Sequence, residues 1–167
     1  PALRQLANQL VGFHPKRSMP LLGPFQLKQW HRKRQVTHAR KLYFFCDEFT
    51  NFLDSAIGQK AILLLEGLGY EVVIPDHLES GRSYLSKGLV RKAAAIANQN
   101  IVKLASLVSA TMPIVGIEPS ALLTLRDEYQ DLASPENKSA AIHLAKYSFT
   151  VEEFIAKEIK AGHIQAD

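Results

Sequence analysis

The residues able to do chemistry gather in three polar stretches, CDEFTN (46–51), ESGRSYLSKG (79–88) and EPSALLTLRDEY (118–129). Between them they hold Cys46, Asp47, Glu48, Thr50, Asn51, Glu79, Ser80, Gly81, Arg82, Ser86, Lys87, Glu118, Ser120, Arg126, Asp127 and Glu128. A phosphate cradle needs glycines followed by Lys-Ser/Thr. Here Ser86 precedes Lys87 and Gly88 follows it, so that pattern fails, and GxGxxG is absent altogether. FFCDEFT offers Asp47 as a phosphate-accepting nucleophile, but Phe49 stands where a second carboxylate would hold metal or move a proton. A phosphotransferase built on Asp47 is a third alternative. Cys46 as a nucleophile needs a histidine or a helix N-terminus to lower its pKa, whereas Asp47 and Glu48 raise it. The plain alternative is a small residue closing a strand. The six histidines lack metal-ligand spacing, and His143, next to Ala141 and Ile142, is expected to be a partly buried packing residue.

The elements that must position these stretches are legible from periodicity. LYFFC (42–46), YEVVIP (70–75) and MPIVGI (112–117) are short apolar runs suited to buried strands. Ile57, Ala61, Leu64, Leu65 and Leu68 fall at helical spacing behind Asp54, a candidate N-cap, with Gly67 and Gly69 closing the helix. Leu89, Ala93, Ile96, Ala97, Ile101, Leu104 and Val108 form a long helical stripe. Pro119 opens a further helix, and SPENKSAAIHLAKYS and TVEEFIAKEIKAG read as two more. Strand–helix alternation implies an α/β, three-layer Rossmann-like domain with a short parallel sheet of three or more strands. Each polar stretch follows a strand directly, so all three should meet at the carboxyl edge of the sheet, where such folds bind ligands.

Charge is divided unevenly. Residues 1–41 hold nine Lys/Arg and no acid, while the remainder holds eleven against sixteen acids, a net of −5. The expected division is a basic linker with short helices (1–40), including a short amphipathic helix over 1–12 with Leu3, Leu6, Leu10 and Val11 on one face, and an α/β domain (41–167). The basic residues are scattered with only Trp30 and a few Phe among them, so no stacking platform for nucleic acid is expected. A basic arm can meet nucleic acid or an acidic lipid surface, but the plainer expectation is a linker lying on an acidic neighbouring domain or subunit. No apolar run approaches the length of about 18 residues that a membrane span takes, and the single cysteine suits a cytoplasmic location. The chain opens without Met inside a helix-like pattern, as a piece of a longer protein would.

Taken together, LYFFCDEFTN, GYEVVIP…ESGRSYLSKGLVRKA and VGIEPSALLTLRDEY resemble a half-repeat of the cysteine-rich CCG domain family. That family includes heterodisulfide reductase B-type subunits, glycolate oxidase iron–sulfur subunits and large FAD-linked oxidases of D-lactate dehydrogenase type. GFHPKRSMPLLGPFQLKQW is similar to the connector after the ferredoxin-like module in the last group. Laid on the family pattern, Cys46 takes the first thiolate position, Glu79-Ser80-Gly81 replaces Cys-Cys-Gly, and Glu118 and Ala121 replace the ends of Cys-x-x-Cys. One of five thiolates is left, and a cluster takes about four.

The resemblance therefore implies a C-terminal domain that binds no cluster or other cofactor itself and has no catalytic residue of its own. Its role would be scaffolding, docking or facing the electron acceptor in an oxidoreductase of a 2-hydroxy acid such as D-lactate or glycolate. FAD and 4Fe–4S centres are expected in the parent protein. The implied partners are a preceding ferredoxin-like module and flavin domain, and a following half-repeat, with peripheral membrane association of the parent left open. The competing reading is a stand-alone module binding an anionic small molecule at the strand-end edge through Arg82, Lys87 and Arg126. The bland reading of each residue is pairing and helix capping, with Asn51, Glu118 and Ser120 as caps and turn formers.

Overall fold

The computed structural model describes residues 2–18 and 20–165. Pro1, Met19, Ala166 and Asp167, which the sequence reading assigns to the first helix, the arm and the domain's end, lie outside the described residues. Four strands, β1 (Arg40–Phe44), β2 (Tyr70–Val73), β3 (Ile114–Gly116) and β4 (Ser148–Thr150), form one sheet in the order β2-β1-β3-β4. All three pairings are parallel, with Leu42 opposite Val72, Tyr43 opposite Ile114 and Ile114 opposite Ser148. The α/β class and three-layer form expected from the sequence are those observed.

The alternation of side chains along β1 shows why both faces must be covered. Leu42, Phe44 and Cys46 enter one core, and Phe45 enters the other with Tyr43 packed against it. The first core is closed by α2 (Leu27–Arg32), α4 (Ser55–Gly67) and α10 (Val151–Lys160), through Leu27, Ile62, Leu65 and Phe154. The second is closed by α6 (Val90–Leu104), the α7 (Pro119–Leu123) and α8 (Tyr129–Leu132) region and α9 (Lys138–Lys146), through Ile101, Leu122, Tyr129 and Leu144. Sheets covered on both sides read as continuous apolar runs, as LYFFC does.

Three local features differ from the sequence reading. β4 is an additional strand, only Ser148 to Thr150, wedged between two helical runs, and too short to show a period of its own. The helix opening at Pro119 is interrupted by a π-helical turn, Thr124–Glu128, before α8. His143 is exposed rather than partly buried; it bonds the Val108 carbonyl at 3.0 Å and meets Tyr147 edge-on.

The basic arm is partly built into the domain. Leu27 is fully buried, and the Gly23 amide donates to the Phe52 carbonyl at 2.7 Å. A Cβ on Gly58 would come within 2.4 Å of the Leu27 side chain, so α2 and α4 touch at a position with no room for one. Arg34 pairs with Glu66 and lies over Trp30, with 4.5 Å between guanidinium carbon and ring centroid. By contrast α1 (Ala2–Leu10) leaves Leu3, Leu6 and Leu10 exposed.

Candidate functional site: the carboxyl edge of the sheet

Because every strand is parallel, the three polar stretches emerge at one edge. The chain passes from β1 outward to β2, then crosses back to β3 on the other side of β1. The crevice outside β1 and β3 is the topological switch point, the usual ligand position of open α/β sheets.

The loops after β1 and β2 are locked to each other. Short helix α3 (Glu48–Phe52) follows β1, capped by Asp47, whose Oδ1 accepts from the Phe49 and Thr50 amides at 2.8 and 3.0 Å. The Thr50 hydroxyl donates to Asp47 Oδ2 at 2.5 Å. Both carboxylate oxygens of Asp47 are therefore occupied within its own turn, and burial pushes its pKa up to about 6. Glu48 reaches across the edge and accepts from the Ser80 amide and hydroxyl, each at 2.8 Å. Ser80 is fully buried, and its Oγ accepts in turn from the Arg82 amide at 3.1 Å.

Two residues outside the sequence-predicted set complete this lock. The Tyr129 hydroxyl donates to the Ser80 carbonyl at 3.0 Å and accepts from Asn100 Nδ2 at 2.8 Å. Asn100 also donates to the Glu79 carbonyl and accepts from the Leu78 amide. Asn100 stands on the helical stripe of Ala93, Ala97, Ile101 and Leu104, and an Asn on such an apolar face is the sequence signal that points to a buried network. Gly81 closes the turn at φ +79°, a left-handed conformation that opens α5 (Arg82–Leu85).

The charged residues at this edge are largely neutralised. Arg82 pairs with Glu128 at 2.9 Å, and Arg126 with Glu153 at 2.9 Å and Asp127 at 3.6 Å. Glu118 caps α7, accepting from the Ser120 amide and hydroxyl at 3.2 and 2.6 Å. Ser86 and Lys87 are exposed at the end of α5, and Lys87 has no ion-pair partner among the described residues. Asn51 is a tie rather than a cap: its Oδ1 accepts from the Lys28 amide at 3.0 Å and from the Cys46 thiol at 3.8 Å.

The implied iron–sulfur cluster does not fit these residues. Burial pushes the Cys46 thiol up to about 12, with only a partial opposing pull from the Lys28 charge. The Ser80 hydroxyl is spent on Glu48, Glu118 caps a helix, and Ala121 is buried with no donor atom. Such a set cannot supply thiolates to iron. No group of three or more His, Cys, Asp or Glu among the described residues is arranged to hold a metal ion.

A second group of residues at the same edge comes from the arm and from the start of the β2 loop. Lys28, His31 and Arg32 share one face of α2 at i, i+3 and i+4. Together with Ile74, Pro75 and Asp76 they line a cavity of about 240 Å³. His77, 6% exposed, stacks on Phe45 at 4.5 Å and donates from Nδ1 to the Leu78 carbonyl at 2.6 Å. Its Nε2 is buried without a partner among the described residues, and burial together with the neighbouring Lys28 charge lowers its pKa to about 4. None of the three polar stretches contains His77, and Lys28 and Arg32 fall in the stretch expected to be linker.

The fold and edge define a doubly wound α/β domain whose strand-end loops are held by internal hydrogen bonds. No family model and no solved structure matches the chain. Known proteins do: it is similar to the D-2-hydroxyglutarate dehydrogenase of Pantoea ananatis (strain AJ13355), 31% identical over 127 residues, 76% of this chain and 12% of that protein. The enzyme of the same name from Escherichia coli (strain K12) is 27% identical over 144 residues, 78% of this chain and 14% of that protein. That from Haemophilus influenzae (strain ATCC 51907 / DSM 11121 / KW20 / Rd) is 21% identical over 124 residues, covering 74% of this chain and 12% of that protein. The chain thus spans about one-eighth of the length of the curated relatives it matches.

Proposed function

We propose that this chain is a C-terminal CCG-like domain of a large FAD- and iron–sulfur-dependent dehydrogenase of a 2-hydroxy acid. The supporting observation is that similarity to proteins named D-2-hydroxyglutarate dehydrogenase extends over three-quarters of the chain. That name favours a 2-hydroxy dicarboxylate over the lactate or glycolate first expected. FAD and 4Fe–4S centres belong to other parts of the parent protein, and this half-repeat holds no cluster of its own. Its role is to scaffold and dock. A polar edge whose ions are mostly paired internally suits a surface packed on a neighbouring redox module better than one that turns over substrate. The arm leads to the preceding ferredoxin-like module and flavin domain, and a second half-repeat follows. A cytoplasmic location, with the parent free to sit peripherally on a membrane, is part of the same reading; no helix among the described residues is long and apolar enough to cross one.

The test uses the full-length parent protein, assayed by dye reduction with D-2-hydroxyglutarate and with D-lactate. Oxidation of D-2-hydroxyglutarate, lost on deleting residues 1–167 while flavin content is kept, is the expected result. Absence of 2-hydroxy acid oxidation, or full activity without this segment, sinks the proposal. Iron analysis of the 167-residue chain after anaerobic reconstitution tests the cluster separately, and stoichiometric iron with visible absorbance would contradict it.

A further inference from the structure

We propose that the cavity between α2 and the end of β2 is a binding site for a small organic anion bearing a carboxylate or phosphate group, held by Lys28 and Arg32. The cavity lies at the carboxyl end of a parallel strand, since Ile74, Pro75 and Asp76 directly follow β2. Its cations are available, unlike Arg82 and Arg126, which are taken by Glu128 and Glu153. Neither Lys28 nor Arg32 has an ion-pair partner among the described residues. The one carboxylate lining the cavity, Asp76, is bound to Lys103, which leaves Lys28 and Arg32 as two lining cations with no acid of their own.

Lys28 is fixed in place rather than free on the surface. It is half-buried, its amide is held by Asn51 Oδ1 at 3.0 Å, and its neighbour Leu27 is locked in the core. Burial lowers its pKa, a cost that an anion in the cavity would relieve. His31 is positioned by Nε2 against the Val72 carbonyl at 2.9 Å and forms part of the wall. A recessed ammonium and a guanidinium one helical turn apart on one side of a cavity can clamp the oxygens of a single anionic group.

The experiment titrates the isotopically labelled 167-residue chain with succinate and, separately, inorganic phosphate at constant ionic strength, following amide shifts. Saturable shifts confined to Lys28, Arg32, Ile74 and Asp76 are expected with at least one of the two. Saturation by succinate alone assigns a carboxylate ligand, and by phosphate alone a phosphate. Lys28→Met and Arg32→Gln should each weaken binding by about tenfold, the loss expected of one charge-assisted hydrogen bond, while Lys87→Gln leaves it unchanged. Exposed Arg32 keeps the test valid if Lys28→Met fails to fold. Failure of both anions to saturate, shifts scattered over surface lysines, or equal weakening by Lys87→Gln would overturn the proposal.

Discussion

The carboxylate of Glu48 holds Ser80 twice, accepting its backbone N–H and its hydroxyl at 2.8 Å each. The two residues are 32 positions apart, one in the turn after β1 and the other in the loop after β2. This contact joins the two loops into one edge. Replacing Glu48 with Ala strands a buried amide and hydroxyl, so stability should fall by about 2–3 kcal/mol in urea unfolding. Exchange of the Ser80 amide should quicken in step. A loss under about 0.5 kcal/mol would mean the loop is held by other contacts.

Tyr129 and Asn100 tie the same loop from below. Tyr129→Phe removes the donor to the Ser80 carbonyl and the acceptor for Asn100, and should cost about 1–2 kcal/mol. Combined with Asn100→Ala it should cost less than the sum, because the two share one bond. Strict additivity in the double-mutant cycle would contradict a shared network.

His77 makes stability depend on pH. Its folded pKa, about 4, lies below the ordinary 6.5, so between these values the unfolded chain binds more protons. Its contribution is complete above about pH 6.5 and is lost as pH falls towards 4, a change of a few kcal/mol. His77→Phe, which keeps a ring against Phe45, should flatten the slope of stability across that window. An unchanged slope would rule out His77 as the titrating group.

Cys46 should resist thiol reagents. It is 1% exposed, its thiol is pushed up to about 12, and it bonds Asn51. Modification by a disulfide reagent should proceed at the rate of unfolding and rise with urea. Rapid modification of the native chain would show a thiol more open than this packing allows.

Leu27 tests whether the arm belongs to the folded unit. Leu27→Ala opens a cavity in the core that Leu27 shares with Leu42, Phe44 and Ile62 and should destabilise the whole transition by about 3 kcal/mol. Leu3→Ala, on an exposed face, should leave stability within about 0.5 kcal/mol of the parent. Equal effects would mean that α2 does not close the core.

The strands, the long helices and the arrival of all three polar stretches at one edge were legible because they depend on local period and on the parallel rule. LYFFC suits a strand buried on both faces, and alternation with helical runs allows few sheets. The π-helical turn after Leu123 and strand β4 were not legible. Each is three to five residues long and exists because neighbouring backbone completes its hydrogen bonds.

The site divides in the same way. Residue type and position alone determined that Cys46 is the single thiol of the chain, that Gly81 suits a turn, and that Glu118 can cap a helix. Only the tertiary structure decided how the charges are spent. Arg82 finds Glu128 and Arg126 finds Glu153 across separations no local pattern encodes, while Lys28 and Arg32, read as linker, are left facing a cavity. Pairing depends on which side chains meet in space after the core closes. Local sequence sets each residue's charge but not its partner, and that is why Arg82 and Arg126 of the polar loops are neutralised while Lys28 and Arg32 of the arm are left open.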